Sequence, residues 1–304
     1  CLTLISKVSV SQHQTDNWYF GCYNHMRFVN NLPVADTVLS PVTCTEGTAV
    51  MSSRYNGNTL FYTDGVTVWN RNNQQMPHGH NLKGSNTTTQ SALIIPYPGD
   101  TNKYYLFTMG PNAGQFPGVY GGLAYYIVDM TADSGLGDLT FVDTLVHPCA
   151  EKIAAVYHSN EHDIWVVVHR YYSDRFYAYL VTDNGVSAPV ITSVGTTYGL
   201  TNSSSAFLGY MNFSPDGKKL AAACWAPENM VEVYHFDRTT GIVSDPITDL
   251  MGTNEAPYGV CFSPDNSKLY IGTTTGSNVD GSVFQYNFSN GYNQTVMDNR
   301  NFID

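Results

Sequence analysis

The stretch Asn212–Trp225 reads NFSPDGKKLAAACW, and Cys261–Thr274 reads CFSPDNSKLYIGTT, with Ser214 and Ser263 separated by 49 residues. In both copies Ser opens a turn, Pro fixes φ at the second position, Asp follows, and Gly217 or Asn266 closes it. Each copy is therefore a strand, a tight turn and a strand. Each is followed by a loop and an alternating segment, MVEVYHFD (Met230–Asp237) and GSVFQYNF (Gly281–Phe288), whose period of two is that of a β-strand.

The same grammar recurs upstream in looser spelling. NGNTLFYTDGVTVWN (Asn56–Asn70), PGDTNKYYLFTMG (Pro98–Gly110) and SNEHDIWVVVHR (Ser159–Arg170) each place a turn before a strand, and NWYFG (Asn17–Gly21) makes a further copy. Taking Leu60, Tyr104, Ile164, Leu220 and Leu269 as equivalent gives spacings of 44, 60, 56 and 49 residues. A single unit of this kind cannot bury its own faces, so a period of about 40 to 50 residues reads as a β-propeller whose blades pack on one another. The expectation is an all-β propeller with six recognisable blades, part of a seven-bladed ring. A β-sandwich would space its strands evenly without the longer period.

Composition agrees with an all-β chain. Charged residues make up 13% of the 304 positions, while Tyr (22), Phe (14) and Gly (26) are abundant. The formal charge of −11, without a basic cluster, leaves a phosphate backbone little to hold, so nucleic acid is not expected as a partner. No apolar run reaches the roughly 18 residues that span a bilayer, so membrane insertion is not expected. Residues 1–12, CLTLISKVSVSQ, read as the remnant of a secretory signal peptide. Residues 13–304 then form one propeller domain, with the ring expected to be cut short at its C-terminus because nothing after Phe288 has strong strand character.

Five of these segments in order, NWYFG, GNTLFYTDGVTVWNRNNQQMP, TTTQSALIIP, YYIVDMTADSGLGDL and EKIAAVYH, resemble the N-terminal propeller of large secreted surface proteins of Bacteroidota that carry a type IX secretion or gliding-motility sorting domain. The resemblance runs from Trp18 to Val181 and implies a secreted or cell-surface location and a recognition or scaffolding role. It carries over no catalytic residues.

Candidate chemistry is sparse. There is no G-x-S-x-G elbow for nucleophilic catalysis. His78 and His80 lie two apart in MPHGHNL, but a closed zinc site needs four ligands, and the segment reads as a solvated loop. His169 reads as polar filler, and Asp129, Asp133 and Asp138 depart from the calcium-loop pattern and read as a hairpin connection. No metal and no cofactor are expected. Of the six cysteines, Cys22 and Cys44 flank one blade and are the expected pair if any bridge forms. Cys224 and Cys261 are assigned to inner strands as apolar filler.

Aligning the blades by their turns puts Glu46, Gln90, Glu151, Tyr210 and Tyr258 at the start of successive inner strands, where their side chains should gather at one mouth of the central channel. Such residues either satisfy backbone groups at strand starts or form a ligand site. The expected function is a non-enzymatic surface module that binds a glycan, a matrix polymer or a surface protein. The alternative is a secreted propeller enzyme acting on polysaccharide, a glycoside hydrolase or lyase, with carboxylates at the channel mouth.

Overall fold

The computed structural model describes residues 16–303, apart from 31, 36–38, 44–45, 112–120, 200–204, 254 and 275–280. The proposed signal-peptide remnant lies outside the described residues.

Six antiparallel sheets follow one another along the described chain. The first holds β1 (Asn17–Phe20), β2 (Asn24–Val29) and β3 (Leu32–Ala35), and the second β4 (Ala49–Ser52), β5 (Thr59–Thr63) and β6 (Val68–Asn70). The third holds β7 (Ala92–Tyr97), β8 (Asp100–Met109), β9 (Leu123–Asp129) and β10 (Asp138–Val146). In the fourth, β11 (Cys149–Tyr157), β12 (Ile164–Arg170) and β13 (Arg175–Thr182) are flanked by β14 (Gly185–Val186) and β15 (Val190–Ser193), which both pair with β13. The fifth holds β16 (Met211–Phe213), β17 (Lys219–Cys224), β18 (Met230–Phe236) and β19 (Val243–Leu250). The sixth holds β20 (Ala256–Phe262), β21 (Lys268–Thr274), β22 (Val283–Asn287) and, after the short helix α1 (Gln294–Asp298), β23 (Asn301–Phe302). A seventh sheet is not found among the described residues.

The expectation that the tail adds no strand is corrected here. Phe302 pairs with Phe284 and Asn301 with Gln285, so β23 completes the sixth blade rather than lying beside β1. Two residues are too short for a periodic signal, which is why the sequence does not announce them.

The blades pack face to face. Along β12, Ile164, Val166 and Val168 pack in a core with Ile95, Tyr105 and Phe107 of the third blade. The alternate residues Trp165 and Val167 pack in another with Phe213, Leu220 and Tyr234 of the fifth. Both faces of the strand are thus covered, which accounts for the unbroken apolar run IWVVV. β17 does the same, with Leu220 and Ala222 facing the fourth blade and Ala221 and Ala223 facing the sixth.

The repeated turns have one construction. Ser214 Oγ donates to Asp216 at 2.6 Å and accepts from the Lys219 N–H at 2.9 Å; Ser263 does so with Asp265 and Lys268 at the same 2.6 and 2.9 Å. Gly217 and Asn266 close them at φ +70° and +63°, the left-handed region that Gly and Asn tolerate best. The two turns also touch, because Asn266 Oδ1 accepts the Asp216 N–H at 2.8 Å.

The cysteines need three corrections. Cys224 is buried in β17, the second strand of its blade, and Cys261 lies in inner strand β20 but is exposed. Cys22 is a free thiol, so the expected bridge to Cys44 is not formed; Cys44 itself lies outside the described residues. The segment Asp129 to Asp138 is the connection between β9 and β10, with a short 3₁₀ turn at Asp133–Gly135.

Candidate functional site at the channel mouth

The first strand of each blade from the second onward, β4, β7, β11, β16 and β20, lies beside its neighbours around the channel. Backbone hydrogen bonds link their starts: Gly47 N–H to Thr88 at 3.4 Å, Glu151 N–H to Phe207 at 3.1 Å, and Tyr210 N–H to Tyr258 at 2.7 Å. The pairing register shifts between Cys149 and Ile153 in β11 and between Pro257 and Gly259 in β20. A bulge re-aims a side chain, and Glu151 and Tyr258 sit inside these two shifts.

Three of the five residues named from the sequence, Glu46, Glu151 and Tyr258, are joined by one that the sequence did not single out. Fully buried Thr89 donates its N–H to Glu151 Oε2 at 2.9 Å, and its hydroxyl lies 3.4 Å from the same oxygen. That hydroxyl is 3.0 Å from the Tyr258 hydroxyl, which donates to Glu46 Oε2 at 2.9 Å. Glu151 is 1% exposed, whereas Glu46 is open to solvent. The result is a line of oxygens running from a buried carboxylate to an accessible one.

Proton count sets the chemistry of this line. Glu151 to Thr89, Thr89 to Tyr258 and Tyr258 to Glu46 make three contacts, and the two hydroxyls bring only two protons. With both carboxylates ionised, one contact therefore lacks its hydrogen. A proton on Glu46 completes the line, each group then donating toward Glu151. Partial loss of water on the side packed against the mouth holds the Glu46 carboxyl above its usual range, against hydrogen bonds from Tyr258 and Thr89 that lower it. Burial, aided by the Glu46 and Glu151 charges, also makes the Tyr258 phenol hold its proton more tightly.

Gln90 has a different position. Its amide nitrogen donates to the carbonyls of Ile153 at 2.9 Å and Met211 at 3.2 Å, and its amide oxygen accepts the N–H of Ile153 at 3.1 Å and of Met211 at 2.9 Å. It staples β11 to β16. Tyr210 stands edge-on to Tyr258 with ring centroids 6.1 Å apart, adding an aromatic wall to the mouth.

Beneath the mouth lies Lys152, fully buried. Its ammonium donates to the carbonyls of Phe207 at 3.2 Å and Gly209 at 3.0 Å, and also to that of Leu208. Burial pushes its pKa down to about 8, against the pull of Cys224, Glu151 and Glu228. Its only sequence signal is adjacency to Glu151. His169 is also fully buried, stacked on Tyr198 at 3.8 Å, and among the described residues neither ring nitrogen has a hydrogen-bond partner. His78 pairs through Nδ1 with Asp138 at 2.8 Å. Among the described residues no group of three or more His, Cys, Asp or Glu is placed to hold a metal ion, and no helix is long and apolar enough to cross a membrane.

No protein-family model matches the chain, and no curated protein matches it. Solved structures do. A protein from Lactobacillus plantarum superposes with a TM-score of 0.50 at 14% identity, covering 94% of this chain and 80% of that one. The chain has the propeller fold. A protein from Bacteroides uniformis provisionally named a 6-phosphogluconolactonase gives a TM-score of 0.49 at 13% identity, covering 93% and 95% of the two chains. The periplasmic gluconolactonase of Pseudomonas aeruginosa gives 0.43 at 14% identity, covering 71% and 57%. The expectation of a non-enzymatic module is corrected by this comparison, since neighbours in fold carry the names of hydrolytic enzymes. The absence of a nucleophile elbow was not ground for setting catalysis aside, because proton-transfer groups carry no local motif. At these identities the likeness shows the fold alone.

Proposed function

We propose that the protein is a hydrolase that opens a sugar lactone at the channel mouth, with Glu46 as the general base. The observation that supports this reading is the line Glu46–Tyr258–Thr89–Glu151. In the proposed step ionised Glu46 takes a proton from water as the water oxygen bonds to the lactone carbonyl carbon. The ring C–O bond then breaks, and Glu46 returns the proton to the departing ring oxygen, leaving the hydroxy acid. Hydrogen bonds from Tyr258 and Thr89 hold Glu46 in its ionised form, ready to take the proton, while desolvation raises its proton affinity. A carboxyl held above its ordinary range is a better base near neutral pH than a free one.

A single accessible carboxyl favours this chemistry over cleavage of a glycosidic bond, which requires two carboxyl groups facing one bond; Glu151 is buried and engaged by Thr89. The Tyr210 and Tyr258 rings supply the aromatic wall that suits the face of a sugar. The sequence resemblance supports a secreted or cell-surface setting and an extracellular carbohydrate as substrate. The test is hydrolysis of aldonolactones, followed by proton release above the spontaneous rate. Turnover that falls at least 100-fold in Glu46→Gln supports the reading; turnover by wild type that survives this change, or no turnover of any aldonolactone by wild type, overturns it.

A further inference from the structure

A second polar cleft, of about 570 Å³, lies between the first two blades, within the size range of small-molecule sites. Its walls are the turn joining β4 to β5, the turn after β6, and the ends of β1 and β2. Glu46 precedes β4, and the β4–β5 turn lies at that strand's other end, so the cleft opens on the face of the propeller opposite the channel mouth.

Three features of the cleft point to one ligand chemistry. Its charge balance inverts that of the chain, which has 14 basic and 25 acidic residues. Here Arg27 and Arg71 face a single carboxylate, Asp16. The Arg71 guanidinium is already held in place by the Gly135 carbonyl from the third blade, and a fixed guanidinium loses less freedom on gripping an anion. The exposed amides of Asn58 and Asn72 each carry a donor and an acceptor in one plane, the pattern that matches neighbouring sugar hydroxyls, and Asn56, whose Oδ1 accepts the Asn58 N–H at 3.1 Å, adds an amide donor. The ring of His25, stacked on Tyr19 at 4.1 Å and on the same face of the sheet as Arg27, offers a flat wall.

We infer that this cleft binds an anionic saccharide, its acid group held by Arg27 and Arg71 and its hydroxyls by the asparagine amides. The inference is independent of the proposed reaction at the mouth. It is tested by calorimetric titration of the purified full chain with digalacturonate, with neutral cellobiose, with glucose 6-phosphate and with inorganic phosphate alone. Digalacturonate or glucose 6-phosphate should bind, whichever acid group is preferred, while cellobiose and phosphate bind at least tenfold more weakly. Binding should weaken with added salt. Arg27→Gln, at an exposed position, and Arg71→Gln should each lower affinity at least tenfold while thermal unfolding confirms that the variants remain folded. Glu46→Gln should bind as wild type does, which separates this site from the mouth. Equal binding of cellobiose, equal binding of phosphate alone, no binding of either acidic sugar, or unchanged affinity in folded Arg27→Gln would each overturn the inference.

Discussion

Replacing Gln90 by Met keeps the length and volume of the side chain and removes the four hydrogen bonds that staple β11 to β16. At about 1 kcal/mol net per bond, four bonds lost without compensation would cost about 4 kcal/mol. Gln90 is partly open to the channel, however, so water can re-enter and pair with some of the freed groups. The expected loss is therefore about 2 kcal/mol, with the orphaned N–H and C=O groups of Ile153 and Met211 accounting for most of it. Equilibrium urea unfolding of wild type and variant measures this, read as a shift of midpoint at constant slope. Gln90→Glu adds a sharper comparison, since a carboxylate keeps the two acceptor contacts but sets negative charge against two carbonyls; it should be destabilised at least as much as the Met variant. A loss below about 0.5 kcal/mol in Gln90→Met would refute the staple and show that water serves these strands equally well.

Tyr258→Phe removes a hydrogen bond that lowers the Glu46 pKa, so the proposed activity, which needs ionised Glu46 and is lost as pH falls, should lose its acid limb at higher pH than wild type; a limb that stays in place in rate–pH profiles contradicts the assignment. His169→Phe removes two unpartnered ring nitrogens from a fully buried site and should leave stability within about 1 kcal/mol of wild type or raise it. Burial lowers the His169 pKa from 6.5 to about 3, so the unfolded chain binds the extra proton between those values and stability falls as pH drops through that window; urea unfolding at pH 7 and pH 4 should show a smaller loss in the Phe variant. Gly217→Ala would place a Cβ 2.5 Å from Val156 Cγ2 at φ +70° and should cost about 2 kcal/mol by thermal unfolding. Asn266→Gly loses only the 2.8 Å acceptor for Asp216 and should cost about 1 kcal/mol.

The repeated turn chemistry made the propeller legible, because Ser, Pro, Asp and a left-handed closing residue dictate one backbone wherever they occur together. The mouth was legible for the same reason: turns fix the start of each inner strand, and Glu46, Gln90, Glu151, Tyr210 and Tyr258 follow from position. Thr89 was missed because a buried threonine in a Thr-rich run looks like any strand filler, and only the bulges in β11 and β20 turn Glu151 and Tyr258 toward it. Lys152 was missed because its three acceptors are backbone carbonyls, which leave no mark in the sequence. The cleft between the first two blades draws on turns scattered from Asp16 to Asn73, and no spacing rule links them.

The contact between the turns of the fifth and sixth blades has a consequence for how the array was assembled and how it could be rebuilt. Position 217 has no room for a side chain, and position 266 uses its side chain to hold the neighbouring turn. The two copies are thus plug and socket rather than interchangeable tiles. Duplicating either blade in tandem, or averaging both into a consensus unit, would set glycine against glycine with no acceptor, or force asparagine into space already filled by Val156 and Arg238. Order around the ring is written into these small departures from identity, so a blade inserted out of sequence would meet a partner that does not fit.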